Sequence, residues 1–260
     1  MAYVRRRIVR VSPGRRIEEA YDAIAVESLV EVVVNGEPYV TLLASPRMLE
    51  ELAIGNLLTS GLVDSVEHVK SVRVLGNRVE VEVDRSGLRV APRRSRGRVV
   101  PPSCDALEIP LAPLESATRD FEVDPEAILR AFRDLRGKMP IFEKTGCTHA
   151  AALIDREGAL VCVAEDVGRH NAVDKVVGMG ALKKLDFGRV FMAITGRLTS
   201  LVVLKAARIG IPLLASISAP TLGGVEVAGR ARVTLVGFAR GGRFNVYTHP
   251  WRISTLRRSL

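Results

Sequence analysis

From residue 190 onward the chain alternates short apolar runs with helical stretches, and that alternation limits its folds more than any other feature. Val190-Phe-Met-Ala-Ile194 leads through Thr195-Gly-Arg-Leu-Thr-Ser200 into a helical pattern over residues 201–209. Residues 212–217 lead through Ser218-Ala-Pro-Thr221 into a second over 225–232, and the run 233–237 ends in Phe238-Ala-Arg-Gly-Gly-Arg243. Strands joined by helical crossovers run parallel and need helices packed on the sheet. The loops after successive strands then share one edge, where ligands of such sheets usually bind.

Upstream, the patterns are more local. Residues 150–155 and 159–164 read as a hairpin around Arg156-Glu-Gly158, followed by a helix from near Asn171 to 184. Asp124-Pro125 signals a helix start, with a stop at Gly137. In the first third, runs 29–34 and 39–43 meet at Asn35-Gly36, a strong hairpin signal. Pro46 opens an expected helix over 47–60 stopped by Gly61, and a second hairpin joins 69–75 to 78–83. The expectation is a smaller α+β domain (1–120) followed by an α/β domain with parallel strands (121–260). Near their junction, Pro92-Arg-Arg-Ser-Arg-Gly-Arg98 and Val-Val-Pro-Pro-Ser-Cys104 read as an exposed basic loop carrying a thiol.

Charge and cysteine usage narrow the function classes. The chain has a net charge of +9, and Arg supplies 31 of its 38 basic side chains, so an anionic partner is expected. Arg is the better fork for phosphate, although genome composition or heat adaptation gives the same bias. Three cysteines do not make a disulfide framework, and neither a secretory signal nor a membrane-spanning run is visible. A soluble cytoplasmic protein is expected. Aromatics at 5% and a short Arg5-Arg6-Arg7 run argue against a nucleic-acid module.

Two polar clusters break the apolar sequence of the second half: Phe142-Glu-Lys-Thr-Gly-Cys-Thr-His149 and Glu165-Asp-Val-Gly-Arg-His-Asn-Ala-Val-Asp-Lys175. They flank the 150–164 hairpin and so are expected to face each other. His149 and His170 are candidates for ligand contact, or for hydrogen bonds to Glu165 or Asp166. Cys147, His149, Cys162 and His170 match no standard zinc spacing, and no metal is expected. Cys162, between Val161 and Val163, reads as a core residue. On the sheet edge, Arg197, Ser218, Thr221 and the segment Phe238, Ala239, Arg240, Gly241, Gly242, Arg243 are the candidate anion binders, or simply turns and caps. Cys104, among Arg93, Arg94, Arg96 and Arg98, is a candidate nucleophile or carrier, because neighbouring positive charge favours the thiolate.

These clusters, together with Gly196-Arg197, Ser218-Ala-Pro-Thr221, Val236-Gly-Phe-Ala-Arg-Gly-Gly-Arg-Phe-Asn-Val-Tyr247 and Glu50-Glu-Leu-Ala-Ile-Gly-Asn-Leu-Leu-Thr-Ser-Gly-Leu62, resemble the formate dehydrogenase accessory protein family, FdhD. The resemblance implies a cytidine-deaminase-like α/β domain and a sulfurtransferase of carrier type. Cys104 would take persulfide sulfur from a cysteine desulfurase and pass it to the molybdenum bis-guanine-dinucleotide cofactor, bound as substrate and destined for formate dehydrogenase. Cofactor contact would fall on Phe238 to Arg243, with Arg197, Ser218, Thr221, His149, Arg169 and His170 beside it; a homodimer is expected. Asp105, Ala106 and Leu107 follow Cys104, so the second cysteine of the family's loop motif is absent. Either one thiol suffices, or the protein is a cofactor-binding chaperone without covalent sulfur transfer. The resemblance brings no deaminase chemistry, since the His-x-Glu and Pro-Cys-x-x-Cys zinc signature is missing.

Overall fold

The structure, a computed structural model, describes residues 1–12, 14, 17–89, 99–100 and 120–255. Its strands are β1 (Tyr3–Arg10), β2 (Glu18–Ala25), β3 (Ser28–Val34), β4 (Glu37–Ala44), β5 (Val69–Leu75), β6 (Arg78–Val83), β7 (Val99–Val100), β8 (His149–Asp155), β9 (Leu160–Asp166), β10 (Val190–Ile194), β11 (Leu213–Ser216), β12 (Thr234–Arg240) and β13 (Arg243–Thr248). The helices are α1 (Leu49–Ser60), α2 (Pro125–Arg136), α3 (Pro140–Thr145), α4 (Arg169–Leu182), α5 (Ser200–Arg208) and α6 (Leu222–Ala231).

The expected alternation forms the centre of a six-stranded sheet, ordered β13-β12-β11-β10-β8-β9. β10, β11 and β12 are parallel, while the β8–β9 hairpin joins antiparallel beside β10 and β13 closes the other edge. Alternate residues of each strand supply the two cores. Ala151, Leu153, Met192, Ile194, Leu214 and Leu235 pack under α4, α5 and α6. Ala150, Ala152, Phe191, Ala193, Leu213 and Val236 pack under α2.

The second sheet, β5-β6-β3-β4-β7, rests on α1 through Leu49, Leu52, Ala53 and Leu57. The opposite side of α1 gives Ile54 and Leu58 to the core of the six-stranded sheet. A helix apolar on all sides must be enclosed, and α1 is enclosed between the two sheets. Its start differs from expectation: Met48 takes a left-handed conformation (φ 53°), so the helix begins at Leu49, not at residue 47. The Ser45 N–H just before it donates to Asp166 Oδ2 at 3.0 Å, so the chain is anchored before the helix can begin.

Several elements lie outside the expected set, among them α3 and β7. β1 and β2 form a separate antiparallel ribbon, exposed along most of both strands, which leaves no burial periodicity in sequence. The 238–243 segment is not an open loop after a strand but the turn of the β12–β13 hairpin, with Arg240 opposite Arg243. Among the described residues, no helix is long and apolar enough to cross a membrane.

Candidate functional site

The loops after β10 and β11 are joined to each other and to the end of β12 at the carboxyl edge of the sheet. Leu198 N donates to Ala219 O, Thr221 N to Leu198 O, and Phe238 N to Ser218 O, at 3.0–3.1 Å. The Ser216 hydroxyl adds a bond to Gly196 O at 2.6 Å. Such an edge is ordered before any ligand arrives.

A cavity of about 980 Å³ opens beside this edge, on the α2 side of the sheet. Its apolar wall comes from Leu129, Phe132 and Leu135 on α2, with Met139 and Phe142. The sheet edge contributes His149, Thr195, Ile217, Ala239, Arg240, Gly241 and Gly242. Arg133, Arg136 and Arg240, all exposed, stand among its lining residues. Apolar walls with a few convergent cations suit a flat heterocycle that carries anionic groups.

His149 links this cavity to a cationic cluster. Its Nδ1 lies 3.4 Å from the Thr195 hydroxyl oxygen, which accepts a bond from Ala150 N. Burial, then the guanidinium groups of Arg169 and Arg197, hold its imidazole below the ordinary value. His170 is pushed down to about 3, by burial first and then by Lys205, Arg169 and His149. Both rings are therefore mainly neutral at pH 7, able to donate and accept hydrogen bonds.

The two acids between these histidines each hold several donors. Glu165 accepts from Ile141 N, Phe142 N and the Thr148 hydroxyl at 2.8–3.0 Å. Asp166, opposite His149 in the β8–β9 register, accepts from Ser45 N, Gly168 N, Asn171 Nδ2 and Lys175 Nζ. The Asp166–Lys175 pair is fully buried, at 2.6 Å. Backbone amides take up these carboxylates because a helix start leaves unpaired N–H groups that a buried carboxylate satisfies.

The FdhD/NarQ family model matches residues 25–254. The chain belongs to the FdhD/NarQ family. It is 34% identical to the sulfur carrier protein FdhD of Xanthomonas euvesicatoria pv. vesicatoria, over 95% of this chain and 91% of that protein. The sulfur carrier protein FdhD of Methanothermobacter thermautotrophicus is 37% identical, over 86% of this chain and 88% of that protein. The crystal structure of a candidate formate dehydrogenase accessory protein from Desulfotalea psychrophila superimposes with a TM-score of 0.80 at 30% identity, over 97% of this chain and 100% of that chain.

The structure distributes the residues that the FdhD resemblance singled out. His149, Ala239, Arg240, Gly241 and Gly242 come together in the cavity wall. Arg169, His170 and Arg197 form the adjoining cluster around His149. Phe238 and Arg243 are not lining residues; Phe238 sits at φ 55° with the Arg240 guanidinium 5.6 Å from its ring centroid. The Thr221 hydroxyl accepts from Gly224 N at 3.2 Å, capping α6, and Ser218 uses its carbonyl to hold Phe238. For those two the capping and turn roles are realised. Cys104 lies outside the described residues. The sequence did not point to the α2 wall, and it singled out Cys147 only as a possible metal ligand; Cys147 is an exposed thiol that lines the cavity. Cys162 is buried in the core under α4, as its strand position implied.

Proposed function

We propose that this protein is a sulfur carrier serving formate dehydrogenase. Cys104 receives sulfane sulfur from a cysteine desulfurase and delivers it to a molybdenum bis-guanine-dinucleotide cargo held in the cavity. In the loading step the Cys104 thiolate attacks the terminal sulfur of the desulfurase persulfide. The new S–S bond forms as the old one breaks, the desulfurase leaves as a thiolate, and no external oxidant is needed. In delivery the cargo, as the electron-pair donor, bonds to the terminal sulfur as the S–S bond breaks, and Cys104 leaves as a thiolate, which neighbouring Arg charge favours. A cytidine-deaminase-like assignment of the six-stranded sheet, a two-domain division at residue 120, a homodimer and a cytoplasmic location belong to the same reading.

The observation that carries the proposal is the cavity, which combines an apolar slot, a cationic rim and the Arg240-Gly241-Gly242 turn. The names of the Xanthomonas and Methanothermobacter relatives support the sulfur-carrying part.

A second reading, a cofactor-binding chaperone without covalent transfer, is favoured by the absence of a second loop cysteine after Cys104. One experiment separates the two. Incubation with a cysteine desulfurase and cysteine is expected to add one reducible sulfur, mapped to Cys104 by peptide mass spectrometry and absent from Cys104→Ala. Equal loading of the variant would remove Cys104 from the mechanism, and no loading of either protein would leave the chaperone.

A further inference from the structure

Glu165 and Asp166 end β9 on opposite faces of the sheet, and each serves a different helix. Asp166 caps the start of α4 and ties the end of β4 to it. Glu165 reaches the other way, to α3, a six-residue helix whose N-cap position, Met139, supplies no side-chain bond. Its Oε2 accepts from Ile141 N at 3.0 Å, and its Oε1 accepts from Phe142 N and the Thr148 hydroxyl at 2.8 Å each. The residue is 8% exposed.

One carboxylate thus grips both ends of residues 141–148. Between those grips lie Phe142, Glu143, Gly146 and Cys147, all part of the cavity wall, and the segment hands directly on to His149. A helix this short has little stability of its own, so its place depends on such anchors. Burying a carboxylate is costly, and an apolar side chain would serve a core as well. What an apolar residue could not do is hold three donors spread over eight residues.

We propose that Glu165 is a positioning residue for the cavity: by clamping residues 141–148 it sets the wall against which a nucleotide-bearing ligand packs. This rests on reading the cavity as the cargo site. The full-length wild type, Glu165→Gln and Thr148→Val are compared in GDP affinity by calorimetry, in amide hydrogen exchange and in urea midpoint. Glutamine keeps the shape but puts an NH₂ group against N–H donors. Glu165→Gln is expected to speed exchange across 141–148 and to weaken GDP binding, each by about tenfold, with β10–β12 exchange unchanged. Thr148→Val, which removes one of the three bonds, is expected to move both readings the same way by less, and it serves as the test should Glu165→Gln not fold. Wild-type GDP affinity in the variants, unchanged exchange at 141–148, or acceleration spread evenly over the whole sheet would overturn the proposal alone. A wild type that takes up no GDP overturns the cavity reading and this proposal with it.

Discussion

A methyl group placed on Gly55 would fall 1.7 Å from the carbonyl oxygen of Asp174, so α1 and α4 touch backbone to backbone. The contact is mutual, since a Cβ at Gly178 would lie 2.0 Å from Glu51 O. Around this crossing the Asp174 carboxylate accepts from Lys205 Nζ, Asn56 Nδ2 and the Thr59 hydroxyl at 2.6–2.9 Å. The crossing joins the α1 sheet to the six-stranded sheet and carries the start of α4, where Arg169 and His170 sit.

Gly55→Ala is therefore expected to destabilise the whole chain, not only α1. The clash is with backbone, which cannot rotate away, so a loss of about 3 kcal/mol is expected at the upper end of overpacking costs. Urea unfolding checks this, and Gly229→Ala is the control because a Cβ there meets nothing within 4 Å. Equal stability of the two variants would contradict the close crossing.

His170 makes stability depend on acid. In the folded state its pKa lies at about 3, against an ordinary 6.5. Below pH 6.5 the unfolded chain binds a proton that the folded chain does not, so stability falls as pH drops from 6.5 toward 3. The slope from this ring is at most about 1.4 kcal/mol per pH unit, and less in practice because the ring is partly exposed. Urea midpoints between pH 7.5 and 4.5 should fall less steeply in His170→Asn; an unchanged slope would mean that this ring is not held neutral.

Arg240 and Arg243 face each other across the Gly241-Gly242 turn, yet only Arg240 lines the cavity. Arg240→Ala is expected to weaken GDP binding by about tenfold to a hundredfold, as for a lost hydrogen bond to a charged group, and Arg243→Ala by much less. Calorimetric titration of the two variants side by side decides it. The opposite ranking would place the ligand outside the cavity.

Much of the architecture was legible in sequence because local rules were obeyed. Val190–Ile194 is a strand with the expected bounds. Asp124 caps α2 through Glu126 N and Gly137 ends it. α4 begins at Arg169, two residues before the expected Asn171, because Asp166 captures Gly168 N and moves the start upstream. The paired polar clusters do meet, with His149 opposite Asp166 and Ala150 opposite Glu165.

The partners within those clusters were not legible. Nothing local says that Glu165 serves Ile141 and Phe142, more than twenty residues upstream, or that Asp166 holds Ser45. The β1–β2 ribbon left no periodic signal, since both of its faces meet solvent over most of their length. The α2 side of the cavity was hidden for a related reason. An amphipathic pattern shows which stripe of a helix is apolar, but not which part of that stripe meets the sheet and which part borders a space.

By itself, then, the order of amino acids settled the strand–helix alternation, the shared edge that alternation creates, and the family, because these depend on periodicity, caps and short motifs. Only the tertiary structure decided that His149 and Arg240 share a cavity with α2, that the Thr221 hydroxyl caps α6 while the Ser218 carbonyl holds Phe238, and that Glu165 and Asp166 serve helix starts. Those outcomes depend on which buried donor lies nearest each carboxylate and hydroxyl once the sheets have packed, a competition between groups far apart in the chain.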